Sequence, residues 1–365
     1  MRRILPLIGT TSMRKLLSAA LAASLAFALS ACSDDDATPA ASSAAATSTV
    51  SAGATPSATA SSDPDVVVSS DGMPTLDTSD EDNPVLKFPD TAAPDGLQVS
   101  VVSEGDGRVI SGDDYVIVDY VGQVWGDSTP FDSSFTRGAA AGFWLKNLVS
   151  GWKYTLEGHH VGSKVIISLP PEYGYGSSGN DSAGISGTDT IAFYIEVHDA
   201  LSQDSSGQDD ASVEIQSSDL PVTITGDIGS PVTKLAVKDG EAEPKEVTTK
   251  LIAKGTGAEV PSKNAIVYLN YAAVSWDGDY EENSWLGTPE EYTDFAGPQA
   301  LEMGANSTIF DGLAGVPVGS RVLVLVPAQE ASDDTTTSTP AMAVVVDVLA
   351  ISTEAPSASA SPTDD

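Results

Sequence analysis

The sequence predicts an α+β protein carrying two copies of one domain, each a curved antiparallel β-sheet wrapped around one short α-helix. Three observations predict it: an internal repeat, apolar residues that alternate with a period of two inside each copy, and a single short stretch with helical spacing. A sheet with one apolar face and one short amphipathic helix bury each other most simply by wrapping.

The repeat is read motif by motif. Tyr120-Val121-Gly122-Gln123-Val124-Trp125 matches Tyr271-Ala272-Ala273-Val274-Ser275-Trp276, each Tyr preceding its Trp by five positions. Val161-Gly162-Ser163-Lys164-Val165 returns as Val318-Gly319-Ser320-Arg321-Val322, and Gly105-Asp106-Gly107 as Gly255-Thr256-Gly257. Within the first copy Val116, Val118 and Tyr120 share one strand face, as do Val165, Ile167 and Leu169, then Ile191, Phe193, Ile195 and Val197. Val267, Leu269 and Tyr271 repeat the first pattern. The helix is expected near Trp152 to His159, where Trp152 and Leu156 stand four apart.

Around these copies the chain divides by composition. Residues 1–31 read as a lipoprotein signal peptide: Arg14 and Lys15, an apolar run from Leu16 to Leu29, then Leu29-Ser30-Ala31-Cys32 at a lipobox. Met13 is an alternative start, and Arg2-Arg3 fits a twin-arginine signal poorly. Cys32, the one cysteine, is then the lipidated N-terminus of the exported chain, which places it on the extracytoplasmic face of a bacterial membrane. An uncleaved apolar anchor is the other reading of that cysteine. Residues 32–83, rich in Ser, Ala, Thr and Asp, are expected to form a disordered tether. The first domain follows at 84–201, a linker at 202–219, the second domain at 220–351 and a disordered tail at 352–365.

The net charge of -35 excludes nucleic acid, since so acidic a surface repels a polyanion. One cysteine, set at the lipobox, excludes intramolecular disulfides, a thiol catalyst and multi-cysteine metal sites. Asp34-Asp35-Asp36 reads as a solvated run beside the anchor, and His159, His160 and His198 are assigned no role, so neither metal nor cofactor is expected.

From Leu97 to Leu201 the first copy resembles the FKBP-type peptidyl-prolyl isomerase family. The residues are Tyr120 to Gly122, Phe131-Asp132-Ser133-Ser134, Arg137, the stretch Phe143 to Trp152, Val161 to Lys164, Pro170 to Gly176, Ile185 and Phe193, in family order. The resemblance implies a pocket with Trp152 as floor and Tyr120, Phe131, Val149 and Phe193 as walls, Leu148 and Ile185 adding to the substrate surface. It implies Tyr175 and the Val149 N–H as donors to substrate carbonyls. Asp132, oriented by Tyr120 and Arg137, would face the twisting amide. Such a site needs no nucleophile, because the obstacle is amide resonance of about 18–20 kcal/mol. Ala141 stands where the family often has another aromatic wall, and Asn180 where a His is frequent, departures that bear on macrolide binding.

The second copy keeps Tyr271 but is poorer in pocket residues. Tyr280 and Glu281 lie near the Phe-Asp place, Ile309 takes the Trp place with Phe310 beside it, Val344 stands for Phe193, and Glu330 to Thr339 replaces the Tyr-Gly-Tyr-Gly segment. The expected function is isomerisation of X-Pro bonds in proline-containing polypeptides outside the cytoplasm, by the first domain alone. The alternative is a non-catalytic envelope lipoprotein that binds peptides or proteins in the same groove. A solute-binding lipoprotein is disfavoured, because the long strand-helix alternation of the two-lobed kind is missing.

Overall fold

In the computed structural model, residues 64–80, 82–287, 296–304, 309–330 and 338–353 are described. The segment 1–31 expected to be a signal peptide, Cys32, the acidic run behind it and most of the expected tether lie outside these residues. No described helix is long and apolar enough to cross a membrane.

The alternating residues build the sheets. In the first domain the strands are β1 (Val67–Val68), β2 (Thr75–Asp77), β3 (Val85–Lys87), β4 (Gln98–Ser103), β5 (Tyr115–Val124), β6 (Asp132–Ser133), β7 (Ala141–Trp144), β8 (Lys164–Leu169) and β9 (Ile191–Leu201). Two helices, α1 (Ser134–Arg137) and α2 (Ser150–Leu156), complete it. The main sheet runs β1-β4-β8-β9-β5-β6, with β7 also on β5. Its inner face carries Val116, Val118, Tyr120, Val165, Ile167, Leu169, Ile191, Phe193, Ile195 and Val197, all buried with Trp152 and Leu156 of α2, as the period of two requires. The helix begins two residues before the expected Trp152 and stops at Leu156. Gly158, at a φ of +89°, turns the chain out of it, and His159 and His160 fall in the following loop.

The second domain repeats the plan. Its strands are β10 (Ser212–Val213), β11 (Val222–Thr225), β12 (Lys234–Val237), β13 (Thr248–Lys254), β14 (Ala265–Ser275), β15 (Glu281–Asn283), β16 (Gln299–Met303), β17 (Arg321–Val326) and β18 (Met342–Thr353). The order β10-β13-β17-β18-β14-β15, with β16 on β14, matches the first sheet. Registers agree residue for residue: Gly122 faces Phe193 as Ala273 faces Val344, and Lys164 faces Glu196 as Arg321 faces Asp347. The expected helix is a correction here, because its place holds only a short 3-10 turn, Asp311–Leu313, among the described residues. The repeated glycine motifs are structural. A Cβ on Gly105 would lie 2.1 Å from the Val161 carbonyl oxygen and one on Gly255 2.4 Å from that of Val318, while Ser163 and Ser320 each accept the glycine's N–H at 2.9 Å.

The disordered tether is corrected over its described part. β1 pairs in parallel with β4, and the β2-β3 hairpin lays Met73 and Leu86 over Val121, Ile166, Ala192 and Tyr194 on the outer face of the sheet. Burying that face offsets the entropy of ordering the segment. Trp125 stacks near Phe88 and donates to the Thr91 carbonyl at 3.2 Å, holding the strap; Trp276 donates to the Glu241 carbonyl at 3.1 Å in the second domain. There β11-β12 covers the outer face with Leu220, Val222, Val232 and Leu235.

The linker 202–219 is likewise corrected, since its polar side chains and backbone are used. Gln203 donates to the Trp285 carbonyl at 2.8 Å, the Gly207 N–H to Asp347 at 2.8 Å, and β10 pairs with β13. The last strand reaches Thr353, two residues past the expected end. The two domains meet where Tyr115, Ile117 and Leu201 pack on Ile266, Tyr268 and Leu349, with the Tyr115 and Tyr268 rings 5.8 Å apart.

Candidate active site

Strand β5 and helix α2 converge on one aromatic cluster. Tyr120 and Trp152 meet edge to face at 5.6 Å, Trp152 and Phe193 at 5.2 Å, and Phe131 and Phe193 at 5.6 Å. Such geometry sets the positive edge of one ring on the negative face of the next. Tyr120, Trp152, Phe193 and Ile185 are buried, whereas Phe131, Leu148, Val149 and Tyr175 are partly buried against the same core. The structure therefore brings together every site residue expected in the first domain, with a closed floor and half-open walls. Phe143, two residues along β7 from Ala141, adds a ring 5.8 Å from Tyr120 and 6.3 Å from Trp152. It was quoted in the sequence motif and left out of the site, although its alternation with Ala141 on one strand face was a sufficient signal.

Gly122 was also missed. It sits opposite both Phe193 and Asp132, and a Cβ there would lie 2.6 Å from the Phe193 ring and 2.7 Å from the Phe131 ring. Only a residue without a side chain lets both rings close on β5. The second copy has Ala273 at this position, opposite the smaller Val344.

At the pocket edge a carboxylate is fixed on both oxygens. Asp132 accepts from the Tyr120 hydroxyl and from Arg137 Nη1, and Arg137 Nη2 donates to the Tyr120 oxygen at 2.9 Å. Burial first, then the hydrogen bond to Asp132, pushes the Tyr120 phenol well above the usual tyrosine range, so it stays a donor. The pair is not a plain surface contact, since the Arg137 and Asp132 side chains are only 31% and 22% exposed. Held this way, the Asp132 carboxylate is fixed in orientation at the pocket edge.

Two donors remain open. The Tyr175 hydroxyl is buried without a well-formed hydrogen bond, with the Asn180 side chain its polar neighbour, and burial raises its pKa. The Val149 N–H, at the N-terminus of α2, donates to no described residue, while its carbonyl accepts from Trp152 at 3.0 Å. A buried polar group left unpaired in an otherwise satisfied site marks where a ligand's acceptor fits. Asn180 pairs its backbone with Ile185 on both N–H and carbonyl, and its Oδ1 accepts the Ala183 N–H.

In the second copy the correspondence needs two corrections. Glu282, not Glu281, faces Ala273 and accepts from the Tyr271 hydroxyl at 2.6 Å, as Asp132 accepts from Tyr120. A one-residue slip in a strand changes the face, so Glu281 points away from that place. Phe310, not Ile309, is the fully buried ring of that core. Tyr280 also donates to Glu282, Gly287 replaces Arg137, and residues 331–337, where the Tyr-Gly-Tyr-Gly segment was expected to be lost, lie outside the described residues. Glu104, far off in sequence, lies 3.0 Å from the His159 Nδ1.

A half-barrel of antiparallel strands around one short helix, with an aromatic pocket and a fixed carboxylate, defines a prolyl-isomerase type of binding domain. Residues 107–198 match the model of the FKBP-type peptidyl-prolyl cis-trans isomerase family. The chain is 33% identical over 116 residues to a probable FK506-binding protein of Corynebacterium glutamicum, covering 32% of this chain and 97% of that one. It is 36% identical over 104 residues to the FKBP-type isomerase FkpA of Escherichia coli (strain K12), 28% of this chain and 37% of the relative. The crystal structure of FkpA matches at 35% identity with a TM-score of 0.27, over 29% of this chain and 48% of that one. The chain belongs to the FKBP-type peptidyl-prolyl cis-trans isomerase family. It spans well under half the length of FkpA.

Proposed function

We propose that the first domain catalyses cis-trans isomerisation of X-Pro bonds in polypeptides, and that Cys32 anchors the protein by lipid to the outer face of a bacterial membrane. One observation carries the catalytic reading: a buried aromatic floor of Trp152, Tyr120 and Phe193 lies beside two unpaired donors and a carboxylate held on both oxygens. A proline ring fits the floor by apolar burial, and Tyr175 and the Val149 N–H bind carbonyls flanking the bond. Rotation breaks amide conjugation and leaves a more ketone-like carbonyl facing the oriented Asp132 side chain. A site shaped for the twisted form lowers the barrier by differential binding alone.

Among the described residues the second domain keeps the scaffold and has Ile309 and Gly287 at the places of Trp152 and Arg137, which supports a bracing role. The lipobox supports the anchor: acylation of Cys32 with more than one chain gives stable membrane binding. The test uses the whole protein. It should accelerate isomerisation of a prolyl peptide, Asp132→Ala should reduce the rate with the fold retained, and Cys32→Ala should leave the membrane fraction. A folded protein that binds prolyl peptides without changing the isomerisation rate would establish the peptide-binding alternative instead.

A further inference from the structure

Behind the pocket, the two copies differ in one constellation. In the first domain Ser134 Oγ accepts the Tyr120 N–H at 2.8 Å and donates to Asp119 Oδ1 at 2.7 Å, and the other Asp119 oxygen lies 2.7 Å from His198 Nε2. The second domain builds the same bridge from uncharged parts. Ser284 Oγ accepts the Tyr271 N–H at 2.8 Å and donates to Asn270 Oδ1 at 2.7 Å. At the place of His198, the extra residue of a bulge in β9, stands Leu349, the extra residue of the matching bulge in β18. The charged version thus accompanies the one copy that also has an arginine on its pocket carboxylate.

The geometry ties this bridge to the pocket. Ser134 opens α1 and Arg137 closes it, so the serine anchors the turn that presents Asp132 on one side and Arg137 on the other. Arg137 bonds Asp132 directly and also acts electrostatically on Asp119. The Arg137 guanidinium is thus bonded to one carboxylate and felt by a second, to which the Ser134 bridge at the start of α1 ties it, and that second carboxylate also has His198 as a partner.

We propose that Asp119, Ser134 and His198 are positioning residues that make the pocket pH-sensitive: a protonated His198 neutralises Asp119 and leaves Arg137 to Asp132, whereas a neutral His198 sets a competing carboxylate against Asp132 for the same guanidinium. This rests on the isomerase reading of the first domain. His198 faces Asp119 from β5, Glu196 on its own strand and Lys164 from β8; the last two are paired with each other at 2.8 Å. Asp119 faces Arg137 from α1, and the Tyr194 and Tyr268 phenols beside it have raised pKa values, chiefly from burial, and remain neutral. The hydrogen bond to Asp119 raises the His198 pKa above the ordinary histidine value against the opposing effect of burial, so the ring keeps its proton to higher pH than a free histidine.

The experiment measures kcat/KM for a prolyl peptide on the full chain from about pH 5 to pH 9, alongside the His198 ring and Arg137 side-chain resonances. The rate should fall about two- to fivefold as His198 loses its proton, the range a part-exposed ion pair commands. Asn and Leu are the residues the second copy already folds with, so the two variants are well chosen to fold. Asp119→Asn should remove the step and hold the low-pH rate throughout; His198→Leu should remove it and hold the high-pH rate. Equal losses in both variants, or a flat profile in the unaltered protein, would mean a merely structural bridge and overturn the proposal. Should the protein accelerate no isomerisation at any pH, the isomerase reading falls, and the Arg137 resonance decides the device by itself. A resonance that ignores the His198 titration overturns it, and one that follows it upholds it.

Discussion

The two domains offer one ion pair in two environments, and replacing each cation by methionine should give very different losses. Arg321 and Asp347 are 2% and 0% exposed, joined by Nε to Oδ1 at 2.6 Å and Nη2 to Oδ2 at 2.8 Å. The guanidinium also donates to the carbonyls of Asp227 at 3.0 Å and Ser230 at 2.6 Å, tying down the loop ahead of β12. Arg321→Met strands a buried carboxylate with the Gly207 N–H as its remaining partner and frees those carbonyls, a loss of about 3–5 kcal/mol. At the matching position Lys164 and Glu196 are 44% and 21% exposed, so Lys164→Met should cost about 0–1 kcal/mol. For a domain of this size the first change lowers Tm by roughly 6–20 °C and the second by a few degrees at most. Urea unfolding, with hydrogen exchange read separately in β17-β18 and β8-β9, assigns each loss to its domain. The reasoning is refuted if the two variants lose equal stability, or if Arg321→Met costs under about 1 kcal/mol.

Two further substitutions probe the pocket itself. Gly122→Ala should push the Phe193 and Phe131 rings off β5, at about 1–3 kcal/mol of overpacking, and cut kcat/KM by roughly tenfold or more; an unchanged rate would show the rings need not close there. Tyr175→Phe should lower kcat/KM by about 0.5–1.5 kcal/mol of transition-state stabilisation while leaving Tm unchanged or higher, because the hydroxyl has no internal hydrogen bond to lose. A fall in Tm with an intact rate would assign that hydroxyl to the fold instead.

What was legible in the sequence follows from how strongly a position repeats. Inner-face residues such as Val116, Val118 and Tyr120 alternate without interruption and all are buried, so both the sheet and the pocket floor could be read from them. The straps could not. Leu76 and Leu86 sit on strands of three residues with Met73 and Phe88 just outside them, too short to show a period, and the Gln123 side chain that clamps Leu86 from the sheet looks polar and unremarkable in sequence. The segment 202–219 was hidden for the opposite reason: it is held by backbone and amide hydrogen bonds, which leave no apolar signature. Open donors at Val149 and Tyr175 were legible only through family likeness, since an unpaired group is a property of the surroundings. The bulges at His198 and Leu349 shift what each strand presents, which is why a histidine dismissed in sequence comes to touch Asp119.

The contact between the domains uses the same strand positions from both sides: Ile117 and Tyr268 are equivalent in register, as are Tyr115 and Ile266. Two identical subunits could also meet through these shared positions, and here both halves lie in one chain. Fusion frees such a pair from mass action, because the partner is always present at the concentration set by the covalent connection. It also frees it from symmetry. In a dimer of identical subunits a change that spoiled one pocket would spoil both, whereas here the second half can give up Trp152, Arg137 and Gly122 and still keep the face that holds its neighbour.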